Sequence, residues 1–390
     1  MTPTLQAVLA EALLGAVRAQ RFTRVPDSMQ GGAPVGVHPS IDLAVAAFPA
    51  DGRPLFANVL FSREHPDGLI ADIGAEAGPV RNIAFLADQQ DGDGRSIAWL
   101  PGADWTRMDW KPLFGNGPRR FVAPYPASLL KLMVLVGIAR LVDQGRARWE
   151  QALSYDGSER PVGDWAFDMT VISCNRSTSA LVTLLHATGA IRRADGIETH
   201  NELHGLFEAL GLPGLRLANT QPDGGWGNAA GAGVGQLQMT AWDTVRLLWL
   251  LDPAAPPAPW RPADAPPLLG ASRAHVLHCL AEQRLHQILS SSAITELPGW
   301  VAGLPARMPG AASGGDVRFA HKTGNTENYS ADAGIVQGIA PARRHYLIAL
   351  TSNLGSRYAP ADSSGRCVAD WRLPALGAAV DARLREFLGD

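Results

Sequence analysis

Residues 124–145, PYPASLLKLMVLVGIARLVDQG, contain the stretch that decides the fold. From residue 127 to residue 145 the segment is apolar on nearly every side, which predicts a helix buried in the core. Gly145 fits the position just past a helix end, where glycine is favoured. Ser128 and Lys131 stand at i and i+3, so a helix would bring their side chains to one face. The segment therefore predicts a core helix with a serine and a lysine at its start.

The chemistry of this S-x-x-K pattern follows from the lysine. A lysine that is desolvated next to a second cation can lose its proton near neutral pH and then accept the serine proton. The N-terminus of the helix adds positive potential where an oxyanion would develop. Alone, however, the pattern is weak, because it arises by chance in many proteins and Ser128 is explained equally well as a helix N-cap.

Two further motifs follow in the chain. Ser173-Cys174-Asn175 stands at the start of a predicted helix over residues 173–188, and Lys322-Thr323-Gly324 follows a predicted strand that ends at His321. Each motif alone has a plain structural explanation, as helix-capping residues or as a strand end with a turn. All three in this order, each in its predicted context, favour a catalytic serine site.

The remaining elements follow from hydrophobic periodicity and turn residues. Further helices are predicted over residues 4–20, 201–210, 240–251, 272–289 and 374–388. Strands are predicted over residues 41–48, 54–61, 82–87, 95–100, 317–321, 332–339 and 345–352. Irregular, loop or linker segments are predicted over residues 101–120, 211–235 and 253–268.

These elements predict an α/β (α+β) protein whose sheet is formed by both ends of the chain. The predicted sheet domain is discontinuous, with residues 1–120 and 291–390, and residues 121–290 form an inserted helical domain. The active site is expected in the groove between the two domains.

Composition excludes several classes of protein. The 390 residues are 46% apolar, enough for a large core, and the net charge of −3 lacks the basic surface of a nucleic-acid-binding protein. The three cysteines are odd in number and form no CxxC pair, so neither a disulfide framework nor a zinc site is predicted. His200 and His204 stand at i and i+4 without an evident third ligand. No metal and no cofactor is predicted.

The N-terminal segment has no basic region, and Glu11 interrupts its apolar run. This pattern argues against a secretory signal and predicts a cytoplasmic location, or a periplasmic one if a signal has been removed. No run of eighteen apolar residues is present, so no membrane span is predicted. The sequence does not specify an oligomeric state.

The three motifs in this order resemble those of the β-lactamases and penicillin-binding proteins. Residues 124–145 and 319–336 (FAHKTGNTENYSADAGIV) look most like the class A β-lactamase branch. The resemblance runs from about residue 35 to the C-terminus, with insertions at residues 62–120 and 252–316. It implies an antiparallel sheet with flanking helices, an all-helical domain and a groove between them.

The resemblance also implies a role for each matching residue. Ser128 would be the nucleophile, Lys131 its proton acceptor, and Ser173 a proton shuttle to the leaving nitrogen. Lys322 would be a fourth catalytic residue, and substrate-binding positions are implied for Asn175, Thr323, Gly324 and Asn325. Lys322 would supply the positive potential and, with Thr323, anchor a substrate carboxylate, and Asn175 would bind a substrate amide. The backbone N–H groups of Ser128 and Asn325 would form the oxyanion hole.

The chain departs from the family's pattern at Cys174, where the family has aspartate. A cysteine can replace the volume of that aspartate but not its charge, so local repacking is expected. A redox-active role for Cys174 is the alternative.

A second departure lies in residues 210–225, LGLPGLRLANTQPDGG, which align with the loop that carries the deacylating glutamate of class A enzymes. Gln221-Pro222 falls where the family has Glu-Pro, and a glutamine amide cannot accept a proton at neutral pH. If the alignment is shifted, the base is one of the nearby carboxylates, Asp223, Glu202 or Glu208.

The sequence therefore predicts a serine acyl-enzyme hydrolase that attacks an amide or β-lactam carbonyl in a small or peptide-like substrate, with slow deacylation. An esterase, amidase or acyltransferase that acts on another substrate stays open, because a fold does not fix its substrate. A non-hydrolytic penicillin-binding protein that remains acylated is the alternative from another class.

Overall fold

A computed structural model describes residues 4–50, 52–87, 107, 110, 112–225, 237–261, 266–290, 300–302, 315–362 and 366–390. The helices in these ranges are α1 (Leu5–Ala19), α2 (Lys131–Asp143), α3 (Val162–Val171), α4 (Asn175–Ala187), α5 (Glu202–Ala209), α6 (Ala241–Leu251), α7 (Gly270–Ala281) and α8 (Arg372–Leu388). The strands of the N-terminal part are β1 (Pro26–Asp27), β2 (Ala33–Pro34), β3 (Ile41–Ala47), β4 (Leu55–Phe61), β5 (Leu69–Ile70), β6 (Ile83–Ala87), β7 (Pro112–Phe114) and β8 (Arg119–Ala123). The later strands are β9 (Ala152–Tyr155), β10 (Ser158–Pro161), β11 (Ile191–Ala194), β12 (Ile197–Asn201), β13 (Leu215–Leu217), β14 (Leu237–Met239), β15 (Val317–Asn325), β16 (Ser330–Gly338) and β17 (His345–Ser352).

The main sheet has six strands in the order β15-β16-β17-β3-β4-β5, and all neighbours are antiparallel. Strand β17 pairs with β3, so the C-terminal and N-terminal parts of the chain meet at the centre of the sheet. This arrangement confirms the predicted fold class, an antiparallel sheet formed by both chain ends with flanking helices.

Each face of this sheet covers its own core. On one face, α1 and α8 pack on residues such as Leu43, Val59 and Ile348. On the other face, alanines of β3 and β16 contact the larger core that contains α2, α4 and α6. Helix α2 is buried along nearly its whole length, as its sequence predicts.

Three predicted boundaries are wrong. The K-T-G motif does not follow a strand but lies within β15, which continues to Asn325 because its register with β16 is unbroken. The predicted loop 211–235 contains β13, which pairs with β14. The predicted helix 272–289 begins at Gly270 and ends at Ala281, and the N–H of Arg284 then donates to Val171 O instead of continuing the helix.

Two features of the middle region were not predicted. Antiparallel hairpins are formed by β9 with β10 and by β11 with β12. A small sheet in the order β7-β6-β8 contains a parallel pair, β6 with β8. The predicted strand 95–100 and much of segment 101–120 lie outside the described residues. Where that segment is described, the prediction of irregular structure is wrong, because β7 pairs with β6 and β8 begins at Arg119. In the described part of the chain, no helix combines the length and the apolar character that a membrane crossing requires.

Candidate active site

Ser128 lies in a 3-10 turn, Ala127–Leu130, that leads directly into α2. Its side chain is half-buried, whereas Ala127 and Leu129 on either side are buried. The turn has no side-chain cap, so Ser128 is not the N-cap that its position would equally allow. Ala127 has a φ of 50°, a left-handed conformation that costs free energy in a residue other than glycine. The backbone is therefore strained beside the serine.

Lys131 begins α2, one turn after Ser128, and its side chain is fully buried. Its Nζ donates to Ser173 O at 2.6 Å, to Ser173 Oγ at 3.0 Å and to Asn175 Oδ1 at 2.7 Å. Burial lowers the pKa of Lys131 to about 8, although the nearby Cys174 opposes the shift. A lysine with this pKa exists partly as the neutral amine near neutral pH and can then accept a proton.

Ser173 lies between α3 and α4 with a φ of 57°, in the left-handed region. The N-cap of α4 is Cys174, and it makes no side-chain cap hydrogen bond, so Ser173 does not cap the helix. Instead, the Ser173 Oγ accepts from Lys131 at 3.0 Å and from Lys322 at 3.1 Å. One hydroxyl therefore connects two lysines from distant parts of the chain.

Lys322 lies on β15 and is fully buried. Its Nζ donates to Ser173 Oγ and, at 2.7 Å, to Thr323 O. Burial and the charge of Lys131 lower the pKa of Lys322 well below its usual value, whereas Asp332 opposes the shift. Two lysines this close cannot both stay charged without cost, so the pair favours one neutral amine.

Gly324 brings β15 against the backbone of the Ser128 turn. A Cβ on Gly324 would lie 2.7 Å from Leu129 N and Pro126 O and 2.8 Å from Ser128 N. Only glycine permits so close an approach. The amide nitrogen of Ser128 and the end of β15 therefore line the same narrow space.

The remaining residues of the K-T-G segment lie next to this contact. Thr323 is buried, and Asn325 ends β15 with its Oδ1 accepting from Ser330 Oγ at 3.1 Å. Asn175, the first residue of α4, is exposed, and its Oδ1 accepts from Lys131. The structure thus brings together the three motifs that the sequence predicted to form one site.

Cys174 is half-buried and not part of a disulfide. Burial raises the pKa of its thiol, but hydrogen bonds from Ser177 and from the Arg176 backbone outweigh burial and lower it overall. The other two cysteines, Cys279 and Cys367, are also free, and burial raises the pKa of each.

Gln221 lies in the loop between β13 and β14. Its side chain is exposed, and its Nε2 donates to Asn219 O at 3.3 Å. Its backbone N–H donates to Gly225 O at 2.7 Å. Among the described residues, the hydrogen bonds of Gln221 all stay within its own loop.

Asp223 is likewise exposed, and its Oδ1 accepts from Gly225 N in the same loop. The two other candidate carboxylates, Glu202 and Glu208, lie next to arginines. Glu202 pairs with Arg146 at 2.6 Å, and Glu208 lies 3.5 Å from Arg216. The described contacts of these three carboxylates therefore join them to Gly225, Arg146 and Arg216.

Sequence reasoning missed a buried pair next to Lys322. His321 Nδ1 lies 2.8 Å from Asp332 Oδ1, and both side chains are buried. Burial raises the pKa of Asp332, against the effect of His321. The register that places Asp332 opposite Thr323 would have revealed this pair, but it requires the strand pairing to be known.

Sequence reasoning also missed a link between the S-x-N motif and the Gln221 loop. Arg176, which follows Asn175, holds the β9–β10 hairpin through an ion pair with Asp156 at 3.0 Å. From the same hairpin, the Tyr155 hydroxyl donates to Asp223 O at 3.3 Å. Nothing in the sequence predicts these contacts, since the hairpin itself was not recognised.

Within the described residues, no group of three or more His, Cys, Asp or Glu side chains is placed to hold a metal ion. His200 and His204 each lie near a different glutamate, Glu202 at 3.7 Å and Glu198 at 3.8 Å.

Neither a family model nor a curated protein matches the sequence. Solved structures do match the fold over nearly the whole chain. The class A β-lactamase of the last common ancestor of Gram-negative bacteria is 16% identical, with a TM-score of 0.50, over 98% of this chain and 100% of that one. PBP-A is 14% identical, with a TM-score of 0.50, over 96% of each chain.

A variant of PBP-A in an acyl-enzyme complex with penicillin G is also 14% identical, with a TM-score of 0.50, over 97% of each chain. Identities this low establish the fold and not the activity. The chain therefore has the fold of the class A β-lactamases and of the penicillin-binding protein PBP-A.

Proposed function

We propose that this protein is a serine acyl-transfer enzyme in which Ser128 attacks an amide or β-lactam carbonyl and Lys131 accepts its proton. The observation that carries the proposal is the buried Lys131 one turn after Ser128, with a pKa lowered to about 8. A neutral amine in that place is a competent general base near neutral pH.

In the proposed reaction, the Ser128 hydroxyl proton passes to Lys131 as the Oγ bonds to the carbonyl carbon. The backbone N–H groups of Ser128 and Asn325 stabilise the oxyanion. The carbon–nitrogen bond of the substrate then breaks, and the leaving nitrogen takes a proton from the Ser173 hydroxyl. Lys131 in turn returns a proton to Ser173. The Ser173 Oγ, which lies 3.0 Å from Lys131 Nζ, supports this relay.

Lys322 and Thr323 are proposed to bind a carboxylate of the substrate, and Asn175 an amide. Burial and the charge of Lys131 disfavour the Lys322 ammonium, and Asp332 offsets this only in part. A substrate carboxylate would supply a further opposite charge and favour the ammonium form. This coupling suits an anionic substrate such as a penicillin or a peptide with a free C-terminus.

Deacylation is proposed to be slow, because Gln221 is not a base and its side chain is exposed. The same observation supports a second candidate, a non-hydrolytic penicillin-binding protein that remains acylated. The acyl-enzyme complex of the PBP-A variant with penicillin G makes a penicillin the natural first probe for both candidates.

The test compares the protein with its Ser128→Ala variant after exposure to a fluorescent penicillin. Peptide mapping of the unmodified protein should locate the adduct on Ser128, and S128A should carry none. An adduct that persists in S128A, or maps to another residue, would show that the nucleophile is misassigned. No adduct on either protein would favour an esterase or amidase that excludes β-lactams.

A further inference from the structure

Gln283 lies just beyond the end of α7, and only 3% of its surface is exposed. Its Nε2 donates to Thr170 O at 3.2 Å and to His321 O at 3.3 Å, and its Oε1 accepts from Leu285 N at 2.9 Å. Both acceptors of the amide N–H groups and the donor to its oxygen are backbone groups, which makes Gln283 a fixed bridge.

The two carbonyls joined by this bridge belong to the two halves of the site. Thr170 is in the last turn of α3, three residues before Ser173, and His321 immediately precedes Lys322 on β15. Carbonyls in the last turn of a helix have no partner within the helix, so an outside donor must satisfy them. Gln283 supplies that donor to α3, and the N–H of Arg284 supplies the next one to Val171 O at 3.0 Å.

We propose that Gln283 is a positioning residue that holds Ser173 in contact with Lys322. The proposal rests on the proposed function, in which the Ser173 hydroxyl relays a proton. Through Gln283, the end of α3 and the K-T-G strand are held at one spacing. The 3.1 Å contact between Ser173 Oγ and Lys322 Nζ follows from that spacing.

Glutamine is suited to join the carbonyls of Thr170 and His321. Its terminal NH₂ has two N–H groups and can reach two carbonyls at once. A glutamate of the same length would direct an acceptor at both carbonyls, and a methionine would leave both without a donor while filling a similar volume. Ser173 has a φ of 57°, so its backbone is already in the strained left-handed region.

The first test measures acylation by benzylpenicillin in a Gln283→Met variant over a range of pH. Acylation at neutral pH should fall by about 10-fold to 100-fold, the usual cost of a misplaced catalytic group. The pH profile should also change, because the charge of Lys131, which lowers the pKa of Lys322, would act on a displaced Lys322 from a different distance. A purely structural role for Gln283 would lower the melting temperature without changing this profile.

A matched control is Gln20→Met. Gln20 is 7% exposed, and its Nε2 donates to Ala16 O at 3.2 Å at the end of α1, away from the motifs. Q20M should lose stability but keep its acylation rate within about twofold. If Q283M and Q20M have equal rates and equal pH profiles, the proposal is wrong. Should Q283M fail to fold, Gln283→Asn retains the amide but is one methylene shorter, and an unchanged rate in Q283N would overturn the proposal.

A crystal structure of Q283M provides a readout that needs no activity. We expect the Ser173 Oγ–Lys322 Nζ contact to be lost or lengthened beyond hydrogen-bonding distance. An unchanged 3.1 Å contact would refute the positioning role even if penicillin never acylates the protein. Conversely, failure of the unmodified protein to acylate would count against the proposed function, while the distance in Q283M would still decide the role of Gln283.

Discussion

The cluster of Lys131, Ser173 and Lys322 differs sharply from the loop that contains Gln221. In the cluster, both lysines are fully buried and converge on one hydroxyl that lies between two helices. In the loop, Gln221 is exposed, and its hydrogen bonds with described residues stay within the loop.

In the proposed mechanism, the cluster serves acylation and the loop corresponds to deacylation. Acylation needs a nucleophile and a base held in fixed geometry, and helices and strands provide that rigidity. Deacylation needs a further base that activates water, and the loop offers an amide in the aligned position. We therefore expect a protein that forms an acyl-enzyme more readily than it hydrolyses one.

The largest expected effect comes from Lys131→Met, which removes the proposed proton acceptor but retains most of the buried volume. Acylation should fall by about 1,000-fold, within the range for loss of a general base. Stability should not fall with it, since a buried lysine with a lowered pKa is costly to the folded state. Stopped-flow acylation and thermal unfolding measure the two quantities, and a rate within tenfold of the unmodified protein would exclude Lys131 as the base.

A smaller effect is expected from Gly324→Ala, because the new Cβ would collide with backbone atoms of the Ser128 turn. Displacement of the oxyanion donors by about 1 Å should lower acylation by about 100-fold. Gly205→Ala on α5 is the control, since a Cβ there meets nothing within 4 Å and alanine favours a helix. If G324A acylates as fast as G205A, β15 does not shape the oxyanion site.

The pH dependence of acylation tests the state of Lys131. Its pKa is lowered to about 8, so the neutral amine is the minor form at neutral pH and the major form above the pKa. The acylation rate should therefore rise by about tenfold between pH 7 and pH 9 and then level off. A rate that falls with rising pH over this interval would mean that the ammonium form is the active one.

The smallest effect is expected from Gln221→Glu. The Gln221 side chain is exposed and its described hydrogen bonds stay within its loop, so a carboxylate there should accelerate hydrolysis of the acyl-enzyme by less than about tenfold. Gln221→Ala is the matched control for loss of the side chain. An acceleration of 100-fold or more would show that the loop reaches the acyl group, and the contrast between the two regions would fail.

Local patterns in the sequence were sufficient to predict most of the framework. The apolar run over α2, the S-x-N segment before α4 and the strands around K-T-G all have short-range signals. Contacts between distant segments had no such signal. Gln283 satisfies carbonyls of Thr170 and His321, far from it in sequence, and no local pattern marks a buried glutamine as a bridge.

Two other structural features were not predicted, for similar reasons. The pairing of β13 with β14 joins segments on either side of a Gly-rich stretch, so composition alone predicted a loop. The β9–β10 hairpin is short and largely polar, without the apolar alternation that marks a half-buried strand. The exposure of Gln221 depends on how its loop lies on the helices, which a sequence alignment does not contain.

The most direct test of the central claim is a time course of intact-protein mass spectrometry after mixing with a fluorescent penicillin. We predict a rapid mass increase of one penicillin per chain that persists for hours, because Lys131 can act as the base in acylation whereas Gln221 cannot act as a base in deacylation. An adduct that appears and is lost within seconds, with continuous release of hydrolysed penicillin, would contradict it.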